Sequence, residues 1–165
     1  MNTENLTKTQ KLAVSGMVTA LYLAVLYATQ SISFGPVQIR IATALYALAY
    51  PCPFLILPLG LANLLSNLLF GGLGVLDMAG GFFVGIATTW LIAQVRRRGL
   101  SPWLTGLPIL LVPGLCVPMW LSYLLHLPYL PLAASVVAGQ AVPAVCGAAL
   151  VRLWNHYSLG RRVMA

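Results

Sequence analysis

Few side chains in this chain can do acid–base or nucleophilic chemistry. Its two acidic residues are Glu4 and Asp77, and its two histidines are His126 and His156. General acid–base work needs titratable groups converging on one substrate atom, and these four share no motif. No lysine follows Lys11, so a GxxxxGK phosphate loop is absent and the chain has no means of its own to hydrolyse ATP. Cys52, Cys116 and Cys146 are far apart in apolar runs, without metal-ligand spacing, and read as packing residues. The expectation is no catalytic residue, no metal and no cofactor. What remains is a set able to donate to and accept from a small polar ligand: Gln38, Arg40, Asn63, Asn67, Asp77 and Gln140. Asn63 and Asn67 are four apart and share one face of a helix. Amides in an apolar helix either bond to neighbouring helices or address a ligand. Asn63 fits both readings, while Asn67, nearer a glycine-rich turn, is read as a ligand group. Arg40 and Asp77 can close two loops as a salt bridge, but their polar, turn-rich surroundings favour binding. His126 reads as a loop residue. Trp90, Trp103, Trp120, Tyr123 and Tyr129 either stack on a planar ligand or form an interfacial aromatic belt. The belt fits Trp103, beside three arginines, whereas Trp120 and Tyr123 stay open.

The elements that must position these groups are membrane helices. Of 165 residues, 60% are hydrophobic and 7% charged, where a soluble domain carries about a quarter charged. A bilayer-crossing helix needs ~20 residues. The uncharged stretch Ile41–Leu76 therefore holds two spans, divided at Pro51-Cys52-Pro53, and Gly71-Gly72-Leu73-Gly74 turns the chain after them. Gly99–Val151 is again free of Asp, Glu, Lys and Arg and divides at His126-Leu127-Pro128. Pro108, Pro113 and Pro118 fall inside the fifth helix, tolerable where neighbours satisfy the freed carbonyls. The expected fold is an all-α integral membrane protein, a single membrane domain over 1–165, with six transmembrane helices at about 12–30, 38–50, 54–70, 76–95, 103–123 and 131–154. Lys8 and Lys11 before the first apolar run imitate a signal peptide, but the run reads as an uncleaved first span.

The net charge of +7 does not mark a nucleic-acid binder, because the basic residues lie at the chain ends and in Arg96-Arg97-Arg98. By the positive-inside rule both termini are cytoplasmic, and of the nine basic residues only Arg40 falls on the outer side, with Asp77. Helix one carries Gly16, Ala20, Ala24 and Ala28 at four-residue spacing, a seam where another helix can approach closely.

Two runs resemble the QueT family: Ser33-Phe34-Gly35-Pro36-Val37-Gln38-Ile39-Arg40 after the alanine-rich first helix, and Asn67-Leu68-Leu69-Phe70-Gly71-Gly72-Leu73-Gly74-Val75-Leu76-Asp77 followed by Gly80-Gly81. The resemblance implies an S component, the substrate-binding subunit of an energy-coupling factor (ECF) importer for precursors of queuosine. It implies six helices, a ligand site on the outer side, and a prokaryotic plasma membrane. It also implies a small-residue face on helix one that docks a transmembrane coupling subunit (EcfT-type), with two cytoplasmic ATPases powering the cycle. The chain departs at one point: the family pattern has Ser-Glu-Ala-Leu after the arginine, and here Ala42-Thr43-Ala44-Leu45 stands. A 7-deazaguanine presents N–H and NH₂ side by side to a carboxylate, and its carbonyl to an amide or arginine. With Thr43 in place of the glutamate, Asp77 is the remaining outer carboxylate, which favours a neutral base or another small planar nutrient. The alternatives are an S component for a different vitamin and a small non-transport membrane protein. A channel would need polar residues on both sides of the membrane, and here they gather on one.

Overall fold

The computed structural model describes residues 6–34, 38–71 and 73–163, with residues 158–163 as backbone only. Gly35, Pro36, Val37 and Gly72 of the two motif runs, Glu4, and the side chains of Arg161 and Arg162 lie outside the described residues. Helix α1 spans Lys8–Ala28 and opens on a capping box. The Gln10 amide donates to Thr7 Oγ1 (3.3 Å) and the Thr7 amide to Gln10 Oε1 (2.9 Å), which satisfies two otherwise orphaned donors. A four-residue helix α2, Gln30–Ser33, follows. Beyond it, the Ile39 amide donates to the Ile32 carbonyl at 2.9 Å, folding the chain back on itself. Helix α3 spans Ile56–Ser66 and runs on into a π turn, Asn67–Gly71. Helix α4 spans Val75–Arg97, entered through Gly74 at φ 97°, a backbone that glycine alone adopts cheaply. Helix α5, Gly106–Leu125, carries Pro113 and Pro118 inside it and stops at His126, in the left-handed region at φ 54°. Helix α6 spans Tyr129–Val163.

Among the described residues, five helical stretches are long and apolar enough to cross a membrane. The stretch expected as a helix over 38–50 is different. Residues up to Arg40 are non-helical, and Ile41–Ala49 is a 3-10 helix of nine residues. The segment is tied down at both ends. Arg40 is held at one end of the bundle by Asn63 and Asn67, and at the other end Arg96 Nη1 donates to the carbonyls of Tyr50 (3.1 Å) and Pro51 (2.8 Å). Nine residues cover about 14 Å as an α-helix but about 18 Å as a 3-10 helix. The narrower helix also lets α6 come close. A Cβ added at Gly147 would sit 3.2 Å from the Ala44 carbonyl oxygen and 3.2 Å from the Ala47 Cβ. Ala42, Thr43, Tyr46, Ala47 and Ala49 are buried, so protein rather than lipid surrounds this segment.

The contacts sort the charges by end. Lys11 lies over the Phe54 ring (6.0 Å), Arg152 over the Trp103 ring (5.3 Å), and Arg96 on Tyr50 and Pro51, all at one end. Arg40 and Asp77 lie at the other. One core joins Tyr22 and Leu26 of α1 to Tyr46, Leu59, Ile92 and Ile109, with the Tyr22 and Tyr46 rings stacked at 5.8 Å. A second joins Val84, Val117, Leu121, Leu132 and Val136 from α4, α5 and α6. Helix α1 is the least embedded span, 11% buried against 39–44% for the others.

Candidate functional site

Arg40 immediately precedes the 3-10 helix and points into the bundle, where it is 6% exposed. Its Nη1 donates to Asn63 Oδ1 at 3.0 Å and its Nη2 to Asn67 Oδ1. Each asparagine then uses its other end on α4. Asn63 Nδ2 donates to the Gly81 carbonyl (2.8 Å) and Asn67 Nδ2 to the Asp77 carbonyl (2.9 Å). An amide is the side chain for this task, because it accepts from the guanidinium and donates to a backbone carbonyl at once. Aspartate in either place would leave the α4 carbonyl without its donor. The four-residue spacing puts both amides on the α4-facing side of α3 and the π turn that continues it, and Gly81 makes the approach possible. A Cβ there would fall 2.5 Å from Asn67 Nδ2.

Asp77 sits in the first turn of α4, where the helix dipole favours an anion, and is 7% exposed. Its Oδ1 accepts from Trp120 Nε1 at 2.9 Å. The Arg40 guanidinium lies over the Phe34 ring in a cation–π contact, with Cζ 5.0 Å from the ring centre. The same ring fills the space that a side chain at Gly71 would need. Phe34, Gln38, Arg40, Asn67, Asp77, Gly81, Val117 and Trp120 line one cleft, about 240 Å³ counting its open mouth.

Arg40 Nε is buried with no hydrogen-bond partner among the described residues. A buried donor left so costs about 1–3 kcal/mol, and more on a charged group. The arrangement is therefore a fixed cation with one donor still to satisfy, beside a carboxylate with accepting capacity left over. It suits a ligand that carries an acceptor near its own N–H donors.

Of the six polar residues singled out from the sequence, Gln38, Arg40, Asn67 and Asp77 are on the cleft wall. Asn63 and Gln140 stand behind it, Asn63 by supporting Arg40. Gln140 Oε1 lies 2.9 Å from Thr43 Oγ1, whose single proton it shares with the Arg40 carbonyl at 2.7 Å. The salt bridge between Arg40 and Asp77, the alternative ranked below binding from the sequence, is not formed among the described residues; Asn67 links the two instead, accepting from Arg40 and donating to the Asp77 backbone carbonyl. Of the other four wall residues, Gly81 and Val117 shape the cleft, and the two aromatic ones, Phe34 and Trp120, were missed or left open. Phe34 belongs to the Ser33-Phe34-Gly35 run, and its place before a buried arginine was the available signal. Trp120 turns inward, whereas Tyr123 is 73% exposed and Trp90 and Trp103 about half exposed on the outside. His126 is exposed at the end of α5, and Tyr129 donates its hydroxyl to the Leu115 carbonyl at 3.0 Å. Gly16, Ala20, Ala24 and Ala28 all lie on the exposed side of α1.

The model of the QueT transporter family matches residues 12–156. No curated protein and no solved structure matches the chain.

Proposed function

The chain belongs to the QueT transporter family, and from that premise we propose that it is the substrate-binding S component of an ECF importer, taking up a queuosine precursor of the 7-deazaguanine type. The observation that carries this reading is Arg40, a buried cation whose Nε has no partner among the described residues, lining one cleft with Asp77. The carbonyl oxygen of such a base accepts from Arg40, its ring N–H and amino group donate to the Asp77 carboxylate, and the rings of Phe34 and Trp120 flank its plane. Gln38 holds the loop over it, while Asn63 and Gln140 keep the cation and the 3-10 helix in place.

Thr43 supports the neutral form of the ligand. Its hydroxyl is engaged with Gln140 and the Arg40 carbonyl, so Asp77 is the one carboxylate among the cleft-lining residues. An aminomethyl cation at the far end of the base would call for a second. The enclosed part of the cleft has room for about one water, so a base needs the cleft to widen around it. It also gives the second reading, a smaller planar vitamin, its support.

The remaining assignments follow from charge and exposure. The end bearing Lys11, Arg96 and Arg152 faces the cytoplasm and the Arg40 end faces outward. The protein-enclosed segment from Arg40 through the 3-10 helix to Pro51 is then the sixth passage between the two faces of a single membrane domain, in the plasma membrane of a prokaryote with both termini inside. The outward small-residue face of α1 receives the EcfT-type coupling subunit, and two separate ATPases hydrolyse ATP. Calorimetry on the purified subunit tests the reading, with 7-deazaguanine bases bearing neutral or aminomethyl substituents. Saturable binding with the neutral base preferred is expected, and absence of binding to either removes the substrate assignment.

A further inference from the structure

We propose that Trp120 is the specificity-determining residue of the cleft: its indole N–H holds the Asp77 carboxylate in the one orientation that accepts two adjacent ligand donors, and so selects bases that carry an amino group next to a ring N–H. The inference rests on the reading of the cleft as a base site. A carboxylate on an isolated aspartate turns easily about its last torsion, which is broad and two-fold. Here one lone pair of Oδ1 is taken by Trp120 Nε1 at 2.9 Å, which stops that rotation and leaves the other accepting positions for the cleft.

A second, independent contact sets the indole itself. A Cβ added at Gly80 would fall 2.8 Å from Trp120 Cζ2 and 2.9 Å from its Cε2. That is closer than atoms can pack, so Gly80 is the clearance into which the ring fits. Val117, three residues earlier on α5, lines the cleft beside it. The other tryptophans, Trp90, Trp103 and Trp154, are 50%, 49% and 37% exposed, while Trp120 turns its polar edge to an aspartate that is 7% exposed. An interfacial-belt tryptophan would turn that edge to the headgroups.

The test compares two probes, 7-deazaguanine and 7-deazahypoxanthine, which differ only in the exocyclic amino group. Binding of each is measured by calorimetry for the wild type, Trp120→Phe and Gly80→Ala. A fixed two-donor contact discriminates roughly ten- to a hundred-fold, so the wild type is expected to prefer 7-deazaguanine by that ratio. Trp120→Phe keeps a ring and removes the donor, and Gly80→Ala keeps the donor and displaces the ring. In both the ratio is expected to fall to about threefold or less, because the two contacts are coupled. A residue that served only packing would weaken both probes alike and leave the ratio unchanged, and that result overturns the proposal. If Trp120→Phe does not fold, Gly80→Ala and a fluorescence titration decide. In a variant with Trp90, Trp103 and Trp154 replaced by Phe, saturation with 7-deazaguanine should change the Trp120 emission, and an unchanged spectrum also overturns the proposal. Failure of the wild type to bind either probe is a different outcome: it overturns the base assignment itself, and this role falls with it.

Discussion

Asp77→Asn probes the charge of the cleft with almost no change of shape. The Asp77 backbone carbonyl, which accepts from Asn67, is untouched, so the strap between α3 and α4 should survive. The side chain faces a choice. If its one oxygen continues to accept from Trp120 Nε1, as Oδ1 does at 2.9 Å, the new NH₂ faces the cleft and meets the ligand's donors. If the amide turns round, two donors oppose each other at the Trp120 contact and one is unsatisfied. Both arrangements lose the charge-assisted bonds to the ligand. Removing one partner of a buried charged pair costs about 2–5 kcal/mol, which is roughly a 30- to 5,000-fold loss of affinity. The assay is calorimetry with the 7-deazaguanine that the wild type binds, on protein shown by gel filtration to be monodisperse. Binding within about threefold of wild type would refute the assignment, because no placement of an amide replaces a carboxylate that accepts from both sides. A variant that fails to fold would instead assign Asp77 to holding α4 against α5.

Other consequences can be measured independently. Ala20→Leu or Ala24→Leu adds bulk to the exposed face of α1 and is expected to abolish uptake with the coupling module while ligand affinity of the isolated subunit stays as it was; normal uptake in both variants would remove the docking role. Arg96→Gln releases the Tyr50 and Pro51 carbonyls, and with hydrogen bonds to charged groups worth about 1.5–3 kcal/mol the thermal midpoint should drop by several degrees; an unchanged midpoint means the end of the 3-10 helix is held by other contacts. On a cysteine-free background, an impermeant thiol reagent applied to whole cells should label a cysteine at Leu73, which is 42% exposed, and spare one at Arg97; the reverse pattern would invert the orientation. Ser33 is buried and bonded to the Thr29 carbonyl at 2.8 Å, and is a poor labelling position.

Composition and spacing alone determined the class of this protein. With 7% charged residues lipid is the one solvent that accepts the surface, and proline–cysteine–proline, the glycine turn and the arginine cluster mark breaks that any fold of the chain must respect. The polar groups of the cleft were also legible, since an amide, an arginine or a carboxylate in an apolar run has to find a partner wherever the run folds. The four small residues on α1 were legible as one face because helical period needs no tertiary information. The rest depends on which segments meet. Nothing in Ile41–Ala49 distinguishes a 3-10 from an α-helix, and the groups that tie its two ends, Asn63 and Asn67 on Arg40 and Arg96 on Tyr50 and Pro51, come from other helices. Arg40 meets Asn67 across 27 residues, and Thr43 meets Gln140 across 97. Those pairings, not residue type, make Asn63 and Gln140 supports and leave Arg40 Nε unpartnered among the described residues. Trp120 and Tyr123 are three apart on α5, yet one turns to Asp77 and the other outward. Their types allow both orientations, and only the clearance at Gly80, on a different helix, decides between them.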